Sequence, residues 1–303
     1  MSIALTTAPA FSTREKVGIG DLTLESGKIL KNVEIAVETC GHLSPTRDNV
    51  ILICHALTGD ARAVGTDEDP GWWRGLVGPG CWVDSERYFI VSTNVIGGCS
   101  GSTGPTSINP ETADVYGGDF PSVTIRDMVK AQFHCLRQMG FSSVHAVIGG
   151  SMGGMQSLEW AVMYPFFAKK IVTIAASTRL SPMAIAYNDI GRQAIMSDPE
   201  WRNGYYVPGE GPKNGLRIAR MVGMVTYRTE KLFEERFRRK LRHAREVTDS
   251  EALFEVESYL RYQGDKLVHR FDANSYLRLL KAMDTHDIGR ARGGVHAALK
   301  RVE

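Results

Sequence analysis

The chain has 303 residues, enough for one large α/β domain with an insertion or for two domains. With 43% hydrophobic and 23% charged residues and a formal net charge of +2, it has the composition of a globular protein, and no charge excess singles out nucleic acid or a membrane surface as a partner. No apolar run reaches membrane-span length, and Met1 to Thr13 lacks a basic start before a long apolar stretch, so neither a transmembrane helix nor a signal peptide is expected.

Ile29 to Cys40 alternates with period two through Val33, Ile35 and Val37, which predicts an early strand. Val50 to Cys54 is short and wholly apolar. Arg87 to Asn94 holds another such run, Tyr88-Phe89-Ile90-Val91, and Val144 to Ile148 and Ile171 to Ala175 complete the set. Runs of this kind read as parallel strands buried on both faces. Thr124 to Met139 is helical in pattern: Asp127 follows Thr124 at capping-box spacing, and Met128, Phe133, Leu136 and Met139 recur on one side. Alternating strand and helix predict a doubly wound, mostly parallel α/β sheet.

From Ser181 the pattern changes. Pro182 to Met196, Asn214 to Tyr227, Glu230 to Arg245, Asp249 to Gln263 and Asn274 to Met283 all read as helices, with no convincing strand among them, so a helical cap inserted into the α/β domain is expected. The Arg- and Lys-rich stretch from Glu230 is interleaved with Glu234 and Glu235 and reads as a solvated face, with nucleic-acid binding as the alternative. Cys40, Cys54, Cys81, Cys99 and Cys135 are odd in number and widely spaced without a C-x-x-C, which fits reduced thiols in the cytoplasm and neither a disulfide framework nor a metal site.

The chemistry concentrates at Gly149-Gly150-Ser151-Met152-Gly153-Gly154, a G-x-S-x-G pattern between a buried strand and a helix. A nucleophile at such a turn needs glycine on both sides, and the following helix N-terminus faces the negative charge that develops during acyl transfer. Ser151 is the candidate nucleophile, against a structural turn serine, and the Met152 amide is one candidate oxyanion donor. The second is the amide of Leu57, in the His55-Ala56-Leu57-Thr58-Gly59-Asp60 loop after an earlier strand. Thr58 in the same loop is assigned to substrate. His55, at a strand end, suits packing or loop fixing better than base catalysis. Gly97 to Gly104 lacks the G-K-[ST] ending of a phosphate loop and reads as an active-site wall, with Cys99 a weaker rival nucleophile. Arg220 and Tyr227, seven residues apart, share one helix face. An Arg there could clamp a carboxylate, although spacing alone favours a surface Arg and a core Tyr.

These segments, together with Gly71-Trp72-Trp73, Leu76 to Gly80, Asn94 to Asn109, Thr124 to Met128, Gly149 to Trp160 and Val256 to Gly264, resemble the homoserine O-acetyltransferases, from about Ile29 to the end of the chain. The resemblance implies an α/β-hydrolase fold, with a core over 1–180, a helical cap over 181–285 that roofs the active site and forms a homodimer, and the start of a return to the core over 286–303. It implies a ping-pong transfer in methionine biosynthesis. Ser151 takes the acetyl group of acetyl-CoA, which acts as a substrate and not as a permanently bound cofactor, and passes it to L-homoserine. Leu57 and Met152 match the family's oxyanion positions, and Arg220 and Tyr227 match positions that hold the amino acid. Small-molecule substrates are therefore expected, with no metal, nucleic acid or membrane.

Members of the family continue past the point equivalent to Glu303. That stretch adds two strands and a helix that carry the catalytic Asp, the catalytic His and an acidic residue for the substrate amine, and none of these has a matched position here. After Ser151 the histidines are His243, His269, His286 and His296, and Asp284 with His286, or His296, is the makeshift alternative. The expectations are an inactive chain on its own, a sheet edge near Ile171 to Ala175, and poor solubility or marginal folding. The competing functions are a serine hydrolase of the same fold, a relative specific for succinyl-CoA or serine, and a non-catalytic remnant. The Gly97 to Pro105 loop resembles the acetyl-using members more closely.

Overall fold

The computed structural model describes residues 12–242 and 254–302. The chain forms two compact units, Met1–Leu180 with Arg278–Glu303, and Ser181–Leu277.

The first unit is built on a sheet of six strands: β1 (Thr13–Thr23), β2 (Ile29–Cys40), β3 (Val50–Cys54), β6 (Phe89–Thr93), β7 (Ala146–Gly150) and β8 (Ile171–Ile174), in the order β1-β2-β6-β3-β7-β8. A short parallel pair, β4 (Val77–Gly78) and β5 (Val83–Asp84), lies apart. β1 and β2 form an antiparallel hairpin, and β2 also meets β6 antiparallel, whereas β6, β3, β7 and β8 run parallel. The wholly apolar composition of β3 follows from its place between β6 and β7, where every residue is buried. One core cluster joins Ile51 and Ile53 to Ile90, Ala146 and Ile148, with Val64 and Val77 from the segment between β3 and β6.

Two helices of this unit position the site. α1 (Ile125–Gln138) starts with the expected capping box: Thr124 Oγ1 accepts from the Asp127 N–H at 3.2 Å, and Asp127 Oδ2 accepts from the Thr124 N–H at 2.9 Å. Its buried face differs from the expected stripe. It centres on Met128, Gln132, Cys135 and Leu136, while Phe133 is half-buried and stacks on Tyr164. α2 (Met152–Met163) follows β7 directly and is buried along nearly its whole length.

Arg126 of α1 and Glu159 of α2, the latter 1% exposed, meet at 3.1 Å. Arg126 also bonds Glu25 and the carbonyls of Asp287 and Arg290, and Arg292 bonds Glu159 at 2.7 Å, so the returning segment is anchored to both helices. A short helix, α8 (Val295–Leu299), follows. β8 is a sheet edge among the described residues. Val172 and Ile174 there are 41% and 42% exposed, in keeping with the expected edge.

The second unit contains α3 (Pro182–Met196), α4 (Lys213–Thr226), α5 (Glu230–Phe237), α6 (Glu255–Val268) and the start of α7 (Ala273–Asp284), and no strand among its described residues. The helix expected over Glu230 to Arg245 stops at Phe237, because Arg238 adopts φ 48°. His243 and the start of the helix expected from Asp249 lie outside the described residues. Among the described residues no helix is long and apolar enough to cross a membrane, and no His, Cys, Asp and Glu cluster could hold a metal ion.

Candidate active site

Ser151 forms the hinge between β7 and α2 with φ 57° and ψ −122°, a strained conformation for a residue with a side chain. The surroundings hold it in place: the Ser151 N–H donates to the Ile174 carbonyl at 2.9 Å, and the Ser151 carbonyl accepts from the Met155 N–H at 3.0 Å. The flanking glycines have a steric cause. A Cβ on Gly149 would strike the Gly153 carbonyl, and one on Gly153 would strike the Cys54 carbonyl, so the turn packs backbone against backbone. The serine hydroxyl therefore sits at the positive end of α2.

The loop after β3 is drawn to the same place. Gln156 of α2 donates through Nε2 to the carbonyls of His55 and Met152, each at 3.2 Å, which ties the His55 to Thr58 loop to the nucleophile turn. Gln156 is held in turn by Gln132 at 2.8 Å, and Gln132 accepts from Trp160 Nε1 at 2.8 Å and donates to Thr93 Oγ1 at 3.1 Å. All of these side chains are buried, so each bond replaces a costly desolvated group. Leu57 is buried and Thr58 half-buried in this loop. Neither the Leu57 nor the Met152 amide donates to another described residue, which leaves both available to an oxyanion.

His55 is fully buried. Its Nδ1 meets the Ala56 carbonyl at 2.7 Å and is therefore the protonated nitrogen, while Nε2 accepts from the Val95 N–H and from Asn94 Nδ2, both at 3.1 Å. Burial holds its pKa below the ordinary histidine value, and both ring nitrogens are engaged. His55 thus links the loop after β3 to the glycine-rich loop after β6. That second loop folds back on β2: Gly97 donates to the Thr103 carbonyl, Thr103 to Glu34, and Ser102 Oγ accepts from the Ala36 N–H at 2.9 Å. Cys99 is half-buried within it.

Arg220 and Tyr227 lie at the C-terminal half of α4 and at its cap, within the second unit, with Arg220 Cζ 5.9 Å from the Tyr227 ring centroid. Arg220 Nε is buried without a partner, and no described carboxylate pairs with this guanidinium. The Tyr227 ring is half exposed. Desolvation of its phenol still raises its pKa, opposed by Arg220 and by hydrogen bonding from Tyr276. Among the described residues no histidine or carboxylate is within hydrogen-bond distance of Ser151. His286 is buried with Nε2 at 3.2 Å from the Ser177 carbonyl, and His269 and His296 are exposed.

The buried Gln132 and Gln156 pair escapes sequence reading because glutamine is ordinarily a surface residue. The available signal was their spacing: Gln132 recurs four residues after Met128, and Gln156 four before Trp160, on faces that are otherwise apolar.

Residues 49–280 match the family model of the alpha/beta hydrolase fold. The chain is 52% identical over 295 residues to the homoserine O-acetyltransferase of Carboxydothermus hydrogenoformans, covering 95% of this chain and 78% of that one. It spans between 55% and 78% of the length of the curated homoserine O-acetyltransferases it matches. The crystal structure of homoserine O-acetyltransferase from Bacillus anthracis superposes with TM-score 0.89 at 31% identity, covering 96% of this chain and 81% of that one. Esterase E22 superposes with TM-score 0.86 at 30% identity, covering 96% and 83%. The chain belongs to the homoserine O-acetyltransferase family of acyltransferases, within the α/β-hydrolase fold.

Proposed function

We propose that Ser151 carries an acetyl group from acetyl-CoA to the hydroxyl of L-homoserine in two steps. Ser151 Oγ adds to the thioester carbonyl, the tetrahedral oxyanion accepts hydrogen bonds from the Leu57 and Met152 amides, and the carbon–sulfur bond breaks to release the CoA thiol. The homoserine hydroxyl then adds to the Ser151 ester, and collapse releases O-acetyl-L-homoserine and regenerates the serine. Arg220 takes the homoserine carboxylate with two parallel N–H donors, Tyr227 adds its hydroxyl, and Thr58 contacts the substrate from the loop after β3. The place of this reaction is methionine biosynthesis in the cytoplasm, with the protein acting as a homodimer. The observation that carries the reading is the backbone of Ser151, held at φ 57° between β7 and α2 beside two undonated amides.

The test follows thiol release from acetyl-CoA with and without L-homoserine, and the mass of the chain after brief exposure to acetyl-CoA. The transferase reading expects one acetyl group on Ser151 with one equivalent of thiol released in the absence of homoserine, further thiol release only when homoserine is present, and loss of all three in Ser151→Ala. Esterase E22 supports a second reading, a hydrolase on the same frame. Acetate release that ignores homoserine would establish that one instead. A chain that takes up no acetyl group at Ser151 removes the covalent mechanism.

A further inference from the structure

Gly223 sits inside α4 with ordinary helical backbone, so no positive φ calls for glycine there. Alanine is the better helix former, and the glycine therefore costs the helix stability. What it provides is space. A Cβ at this position would lie 2.8 Å from Tyr227 Oη and 3.0 Å from Tyr227 Cζ, and its three nearest neighbours would all be atoms of that one ring.

Seven residues separate Arg220 from Tyr227, about 10 Å along a helix axis, so the two meet only if the tyrosine runs back toward the N-terminus. Gly223, four residues before Tyr227, is the surface it runs over. We propose that Gly223 is a specificity-determining position: its missing side chain lets the Tyr227 phenol lie back beside Arg220, and the guanidinium and hydroxyl together read the carboxylate of the amino-acid acceptor. This rests on the reading of Arg220 and Tyr227 as the acceptor site.

One further observation favours an acidic ligand group. Arg220 keeps a buried Nε without a partner and has no carboxylate paired with it among the described residues.

The test is an NMR titration of the chain with L-homoserine and with L-homoserinamide, for the wild type, Gly223→Ala, Tyr227→Phe and the double variant. Gly223→Ala should bind L-homoserine about tenfold more weakly, the scale of one charge-assisted hydrogen bond. Its melting temperature should not fall, and its affinity for the carboxamide should be unchanged. On top of Tyr227→Phe, the alanine should cost nothing more, because it acts through the phenol. Wild-type affinity for homoserine in Gly223→Ala, or an undiminished penalty in the double variant, overturns the proposal while leaving the acceptor site in place. If the wild type binds no homoserine, the acceptor-site reading fails and takes the proposal with it.

Discussion

The turn at Ser151 and the pair on α4 reach their geometry by opposite means. At Ser151 the shape is set by backbone against backbone, with Gly149 against Gly153, Gly153 against Cys54, and a buried amide network beneath. On α4 the backbone is an ordinary helix, and only side chains, Arg220 and Tyr227 folded over Gly223, define the site. The first should fail by losing the fold around it, and the second by losing a ligand with the fold intact.

The largest effect should therefore come from Gly153→Ala. Its Cβ would meet the Cys54 carbonyl, a rigid strand end that cannot yield, so about 3 kcal/mol of stability should be lost in urea unfolding. Gly150→Ala, whose Cβ finds nothing nearer than Ile174 O at 3.8 Å, should cost less than about 1 kcal/mol. Equal losses at the two positions would mean that the glycines serve something other than backbone approach.

A pH effect of similar size belongs to the first unit. Burial holds His286 at about 4 against an ordinary value of 6.5, while Nε2 donates to Ser177. The unfolded chain binds this proton more readily, so the stability from keeping the ring neutral is complete above pH 6.5 and is lost as pH falls toward 4. The loss amounts to at most about 3 kcal/mol. His286→Gln should flatten that acid limb relative to the wild type. An unchanged profile would assign the acid sensitivity elsewhere, with His55, also held low by burial, as the first suspect.

Gln156→Leu comes next, at about 2 kcal/mol, because it strips Gln132 of a buried acceptor. It should also loosen the loop after β3, which hydrogen exchange at Gly59, whose N–H donates to the Ala56 carbonyl at 2.9 Å, would report, while exchange along α4 stays unchanged.

The same contrast governs what could be read from the sequence. β2 and β3 fall on the expected residues because alternation and full burial leave direct apolar patterns. The Ser151 turn was legible because glycines at fixed spacing reflect steric need. β1 was not, since Thr13 to Thr23 lies mostly exposed at the sheet edge and carries charge where a pattern would be sought. β4 and β5, two residues each, are too short to show a period. The helix from Glu230 reads as continuing past Phe237 because Arg238 and the basic residues after it favour helix locally, yet Arg238 turns out at φ 48°. Arg220 and Tyr227 could be placed on one face by counting. Their contact depends on a missing methyl group at Gly223, which no periodicity shows.

The smallest effect on the fold should come from Arg220→Lys. The guanidinium makes no ion pair with a described residue, so stability should change by no more than about 0.5 kcal/mol. Affinity for L-homoserine should nevertheless fall about tenfold, because a lysine ammonium cannot present two parallel donors to a carboxylate. Heat unfolding and the homoserine titration, made on one sample, separate the two outcomes. A variant that loses stability in proportion to binding would make Arg220 a structural residue of α4 and erase the distinction between a site built by backbone and one built by side chains.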